Sequence, residues 1–348
     1  MRNWPKKRLQ SLNIKLDKVP NLRDRHDEVF KEYEENCIIE EVPPSEVVSP
    51  YPVYYLPHHP FVRDCSNSTK VRPVFDASAI GYNGISLNDC LECGPSLNPN
   101  LVEVLLRFRK WRVALTADIT KAFLQIKVQR EDQDVHRFLW QNEGNVRIMR
   151  FVRVPFGNKS SPFLLNAVIK HHLNKYPPSE VKEELSTNLY VDDWLSGADS
   201  VAEAFEKFNV ASKIMAEAGM CLAKWNSNNK SLKYTFNEGC EMYGEDESFK
   251  ILGMQWLSAQ DCFRFNDINI GFQYEVIATK RNVLSLIARC FDPLGLISPF
   301  VMYAKILFQD VWRLGLKWDE IIPKKLHLKF QVRVKDFKDL CLLKIQRC

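Results

Sequence analysis

The stretch "LYVDDWLSG", Leu189 to Gly197, sets two adjacent aspartates, Asp192 and Asp193, between apolar and aromatic residues. Leu189-Tyr190-Val191 and Trp194-Leu195 have the β-branched and aromatic character of strands. The aspartates therefore fall at the turn of a hairpin whose arms are apolar. Paired aspartates are common in solvated turns, because Asp tolerates the unusual dihedrals of a tight turn. Two features weigh against that plain reading. The apolar flanks bury the hairpin, with Tyr190 and Trp194 as its anchors. A third acid, Asp118, ends a separate β-rich run, "VALTADI" (113–119), whose "LTA" reads as core.

Three carboxylates converging at strand ends repel one another, and without a cation at least one tends to take up a proton. Divalent ions remove the conflict. Mg²⁺ takes oxygen ligands, typically one or two carboxylates together with substrate phosphates. A pair of such ions can activate an attacking oxygen and stabilise a leaving one, the arrangement used for phosphoryl and nucleotidyl transfer.

The whole chain sets bounds on this reading. It has 348 residues, 45% hydrophobic and 26% charged, enough for two or three domains with a sizeable core. A net charge of +5 fits a polyanionic partner without requiring one. No apolar run reaches the length of a membrane span, and "MRNWPKKRLQ" lacks the apolar stretch of a secretory signal. The ten cysteines are irregularly spaced, which suits reduced thiols in an intracellular protein better than a disulfide framework. Cys90 and Cys93 form a C-x-x-C, but no second ligand pair follows to complete a zinc site. His58-His59 and His171-His172 are adjacent, so each pair diverges on regular structure and chelates poorly.

Periodicity predicts a helix in 23–41, two extended segments in "YPVYYLPHH" and "KVRPVFDAS" joined by "RDCSNSTK", and a helix from about Pro99. The strand "VALTADI" follows, then "TKAFLQIKV" as a turn and strand, and a hairpin of "VHRFLWQ" with "VRIMRFVRV". Ser160 or Ser161 caps a helix with Pro162 in its first turn. The acid hairpin is followed by an amphipathic helix ending at Gly219, short strands, and a mostly helical C-terminal region. This order is α+β, not the regular alternation of a doubly wound fold.

Taken together, the motifs resemble those of LTR-retrotransposon reverse transcriptases, most closely the Pao/BEL type. "YYLPHHPFVRDCSNSTKVRPVFDASA" resembles the fingers segment, and "ISLNDCLECGPSLNPNLVEVLLRFR" is similar to the linker this group shares. "LTADITKAFLQI", "VPFGNKSSPFLLNAVI" and "YVDDWLSGADS" resemble the first three palm motifs, and "AGMCLAKWNSN" and "ILGMQWL" the last two. Y-x-D-D alone is a weak signal; five motifs in the family's order are a strong one.

The resemblance implies a right-hand polymerase with fingers, palm and thumb, an antiparallel palm sheet backed by helices, and then a mostly helical region. It implies an N-terminal helical segment in 1–45, fingers and palm in 46–245, and a primer-grip hairpin with a helical thumb or connection region in 246–348, RNase H and integrase being absent. It implies an RNA-directed DNA polymerase using two Mg²⁺, with Mn²⁺ as a substitute. Asp118 and Asp192 match the principal metal ligands; Asp193 completes the triad as a metal contact or as a turn former. Arg72 matches the fingers arginine that clasps the triphosphate, its planar fork suited to phosphate oxygens. Lys70 assists it or is a solvated loop lysine. Ile119 follows the first acid in the nucleotide site. Phe123 matches the aromatic beneath the sugar that excludes a 2′-OH; by itself it would read as core. Phe156 and Gly157 let the backbone pass close to nucleotide and template. Lys224 matches a lysine that protonates the leaving pyrophosphate, or is a surface lysine, and Leu252-Gly253-Met254 fall at the primer grip.

Implied partners are a primed RNA or DNA template, deoxynucleoside triphosphates, and oligomers or other retrotransposon gag and pol products, with no membrane. The implied location is cytoplasmic, within retrotransposon particles included. The alternative is a catalytically inactive nucleic-acid-binding remnant. An aspartic peptidase is disfavoured, since no Asp-Thr/Ser-Gly triplet occurs. Lys324 to Cys348 carries eight Lys or Arg against two Asp and reads as a helix with a basic face.

Overall fold

The computed structural model describes residues 3–62, 71–142, 144–236, 248–265 and 278–348. Lys70 and the "RDCSNSTK" tip lie outside them. The chain divides into two compact units, each assembled from separate segments.

The first unit comprises residues 1–98, 120–177 and 217–220. Its core is aromatic: Phe30, Phe75, Phe138, Trp140 and Phe151 are buried together with Met149. Phe30 comes from the helix Leu22–Glu35, which presents Leu22, His26 and Phe30 inward at helical spacing. The helix stops earlier than the 23–41 reading. Cys37 turns the chain in the left-handed region (φ 51°), and Ile39–Glu41 becomes an edge strand paired to Asn145–Phe151. Apolar spacing alone does not separate Ile38 on a following strand from Ile38 on a longer helix. Arg137–Asn142 completes this three-stranded sheet. His58–Val62 and Val71–Phe75 pair antiparallel as expected, with Arg72 opposite Phe61.

The second unit comprises residues 99–119, 178–216 and 221–348. Its centre is a four-stranded antiparallel sheet in the order Leu189–Tyr190, Asp193–Ala198, Val113–Ile119, Leu222–Ser227. Both faces of the acid strand are covered, which is why it reads as a nearly continuous apolar run. Ala114, with Leu195 beside it, packs on Val104, Leu105 and Phe108 of the helix Leu101–Lys110. Val113 and Leu115 face the opposite way, into a cluster with Ala198 and with Ala204 of the helix Val201–Ala216. Asn100 caps the first of these helices by accepting from the N–H groups of Val102 and Glu103.

A second sheet in this unit joins Ser248–Ile251, Met254–Leu257 and Cys262–Arg264 to Lys344–Gln346. The helices Lys280–Ala288, Ser298–Arg313 and Lys324–Asp339 bury Val283, Leu286, Val301, Leu307, Phe330 and Phe337 in a core of their own.

Three local readings differ. "TKAFLQIKV" is a short 3-10 helix, Ala122–Gln125, because Lys121 turns left-handed (φ 50°) just before it. The helix Glu180–Asn188 is absent from the sequence reading; Ser179 caps it. The basic helix ends at Asp339 and the chain returns as a strand. No helix among the described residues is long and apolar enough to cross a membrane.

Candidate polymerase active site

The acid hairpin closes through a two-residue link, Val191 and Asp192, between Tyr190 and Asp193. Val191 lies at φ 59°, an outlier for a β-branched residue. That left-handed step is what a tight hairpin turn demands, and glycine or asparagine usually supplies it. The arms hold it in place. Leu189 and Trp194 are buried, the Trp194 indole N–H donates to the Glu184 carbonyl at 3.4 Å, and its ring meets Trp225 edge-on at 5.6 Å.

Within the sheet, Asp193 is the direct antiparallel partner of Asp118. Directly opposed residues point to the same face, so the two strands deliver both carboxylates to one side of the sheet. The Ile119 N–H donates to the Asp192 carbonyl at 2.8 Å, tying the turn back to the end of the acid strand. Ile119, assigned to the nucleotide site, has its side chain buried, and its amide is engaged in this bond.

The charges behave as crowded acids do. Burial pushes the Asp193 carboxyl up to about 7, with further upward pressure from Asp192 and Asp118. Burial, then Asp118, also raises Asp192. Lys224 opposes both. Among the described residues no three His, Cys, Asp or Glu side chains form a ready-made metal cage. The donor set still fits Mg²⁺. It offers hard carboxylate oxygens under mutual repulsion, to be completed by substrate phosphates.

Lys224 reaches this group through an irregularity in the neighbouring strand. Thr116 pairs with Asn226 and Asp118 with Ala223, so Lys224 and Trp225 together oppose Ala117 alone. This is a β-bulge, and Lys224 takes its left-handed position at φ 52°. The bulge brings the Lys224 Nζ to 3.0 Å from the Asp118 Oδ2, to which it donates.

The other residues that the family resemblance assigns to nucleotide binding, Arg72, Phe123, Phe156 and Gly157, belong to the first unit. Phe123, half-buried on the 3-10 helix, meets exposed Phe156 edge-on at 5.1 Å. The two segments are laced together: the Val154 N–H donates to the Ile126 carbonyl at 2.9 Å, and Arg153 donates to the Gln125 carbonyl at 2.9 Å. Both rings belong to motifs legible in the sequence; their contact is not. Gly157 lies at φ +100°, where a Cβ would stand 2.5 Å from the Phe75 carbonyl oxygen. Its glycine is thus required by the chain's own packing. Arg72 projects exposed from Val71–Phe75.

At the expected primer grip, Leu252 (φ 46°) and Gly253 (φ 90°) form a two-residue hairpin turn. Both central residues are left-handed, as a type I′ turn requires. Met254 is buried in the core with Trp256 and Phe263, and Leu252 packs partly buried against the same core, which leaves Gly253 as the exposed residue of the three.

An antiparallel sheet backed by helices, with opposed acids beside a strained turn, defines a polymerase palm. Comparison with known families agrees. Residues 68–256, over half of the chain, match the family described as reverse transcriptase (RNA-dependent DNA polymerase). Residues 279–348 match the family described as Pao retrotransposon-like RNaseH-like domain. The chain belongs to the reverse transcriptase family, as a Pao/BEL-type retrotransposon member.

Among solved structures, it is similar to a foamy viral protease-reverse transcriptase in complex with RNA/DNA hybrid. That match has a TM-score of 0.60 and 15% identity, covering 94% of this chain and 38% of that one. A second structure, the dRH form of the same foamy viral protein in complex with ds DNA, gives a TM-score of 0.61 and 14% identity. It covers 90% of this chain and 48% of that one. At such identities the likeness is one of fold, and the chain spans less than two thirds of those proteins. No curated protein matches the chain.

Proposed function

We propose that this chain is an RNA-directed DNA polymerase that adds deoxynucleotides to a primer 3′-OH by two-metal nucleotidyl transfer. The observation that carries this reading is the cross-strand pairing of Asp118 with Asp193, with Asp192 in the strained turn beside them. Asp118 and Asp192 would hold the divalent ions, and Asp193 shares their charge. Bound there, such ions supply a lowered pKa for the attacking hydroxyl and neutralise the triphosphate.

The protein's own groups do the rest. Arg72 clasps phosphate oxygens through its planar fork. Phe123 is assigned to exclude a 2′-OH beneath the sugar, and its edge-on contact with Phe156, which would brace the ring, supports this. Lys224 gives a proton to the departing pyrophosphate, a role supported by its hydrogen bond to Asp118. The foamy viral relatives bound to RNA/DNA hybrid and to ds DNA support a primed nucleic-acid duplex as the partner. Residues 46–245 would then be fingers and palm, and 246–348 the primer grip followed by a helical region whose last part, 279–348, matches the RNaseH-like family.

The test is primer extension on poly(rA)/oligo(dT) with Mg²⁺. Extension is expected, and Asp118→Asn or Asp192→Asn should lower it by more than about 100-fold, the upper range for loss of even an outer-shell metal partner. Salt-sensitive duplex binding by folded protein without extension would instead identify a non-catalytic nucleic-acid-binding remnant.

A further inference from the structure

We propose that Lys224 is a built-in counter-ion for Asp118, holding the carboxylate in the metal-free protein and yielding its place when a divalent cation loads. The inference rests on the metal-binding reading of Asp118 given above. It starts from an outlier of the backbone. A bulge position in the left-handed region suits glycine, and a residue with a Cβ costs roughly 1–2 kcal/mol there. Lys224 occupies it nonetheless (φ 52°). Strain of this kind persists where the surrounding structure enforces it, and it clusters at functional sites.

The consequence of the bulge is directional. Ala223 remains in register with Asp118 and Asn226 with Thr116, so the sheet is undisturbed on either side. Only Lys224 and Trp225 depart from the ladder. Trp225 turns inward, where it meets Trp194 and Phe208 edge-on. Lys224 turns toward the acids and donates to the Asp118 Oδ2 at 3.0 Å.

The strength of the contact decides its role. The Lys224 side chain is 63% exposed and that of Asp118 is 27% exposed. An ion pair this wet contributes only about 0.2–1 kcal/mol. It opposes the repulsion among neighbouring carboxylates without cancelling it, and it is weak enough to release. A divalent cation carries twice the charge and takes the same oxygen, so lysine and metal compete for Asp118. The lysine thereby weakens metal binding until a nucleotide brings its phosphates to complete the coordination.

The test is Mn²⁺ binding to the full chain, read as loss of the free-ion signal in electron paramagnetic resonance, without nucleotide or nucleic acid. Lys224→Met should bind Mn²⁺ roughly 2- to 5-fold more tightly than wild type, the range set by an exposed pair. Lys224→Arg, which keeps the charge, should stay near wild type. Asp118→Asn should weaken binding in any background. Equal affinity of wild type and Lys224→Met, with Asp118→Asn still weakened, would overturn the counter-ion and leave the metal site standing. Binding indifferent to Asp118→Asn would overturn the metal reading itself.

Discussion

At the residue scale, single backbone positions govern the site. Val191, Lys224 and Leu252 all lie at positive φ without being glycine, and each sits in a turn or bulge of the second unit. Gly157 is the converse case, a left-handed position where glycine is present because nothing else fits. Its missing Cβ leaves room for the Phe75 carbonyl, while the Asn88 side chain donates to the Gly157 carbonyl at 3.1 Å. Gly157→Ala should therefore destabilise the protein by about 1–3 kcal/mol, the cost of a strained conformation before the clash is relieved. Urea denaturation gives the number, and an unchanged midpoint would refute the packing argument. The aspartates were legible in the sequence as residue types. Their one-sided placement was not, because it depends on the register between strands about 75 residues apart.

At the element scale, the helix Leu22–Glu35 and the strand His58–Val62 meet through buried histidines. The His26 and His58 rings stack at 5.4 Å, and both lie against Phe30. The His58 Nε2 donates to the Leu139 carbonyl at 2.9 Å. Burial first, and then His26, pushes His58 down to about 3; burial pushes His136 down to about 4. A histidine whose folded pKa is depressed gives its full stability above the unfolded value of about 6.5, and loses it as pH falls below that. Each should cost roughly 2 kcal/mol between pH 6.5 and pH 5. Guanidinium unfolding across that interval should show the loss, with a shallower slope in His136→Asn. A flat profile would mean that these rings titrate normally. "HH" in the sequence gave no hint of this, since burial of one histidine of the pair is set by which face of its strand the sheet covers.

At the scale of the whole molecule, residues far apart in the chain close the second unit around Asp261. Fully buried Arg347 donates to both Asp261 oxygens, at 2.6 and 2.8 Å, and to the Phe108 carbonyl at 2.6 Å. Asn228 donates to Asp261 at 3.0 Å and to the Arg112 carbonyl at 2.9 Å, and its own Oδ1 accepts from the Ala114 N–H. This hub ties the strand Lys344–Gln346 to the end of the helix Leu101–Lys110, and so to the start of the strand that carries Asp118. Removing one partner from a buried ion pair typically costs about 3–5 kcal/mol. Arg347→Met should lower stability by that order, and hydrogen exchange should rise in 108–119. Unchanged exchange there would show that the hub does not support the acid strand.

The sequence by itself determined the polymerase reading. Asp118, the Asp192-Asp193 turn and the ordered motifs are local patterns whose spacing survives without coordinates, and strands such as Val113–Ile119 announce themselves by composition. The tertiary structure alone decided which groups meet. The pairing of Asp118 with Asp193, the reach of Lys224 across a bulge, the contact of Phe123 with Phe156 and the burial of Met254 all depend on register and packing between distant segments. Short-range propensity carries no information about those, because the energies that fix them arise only when the faces come together.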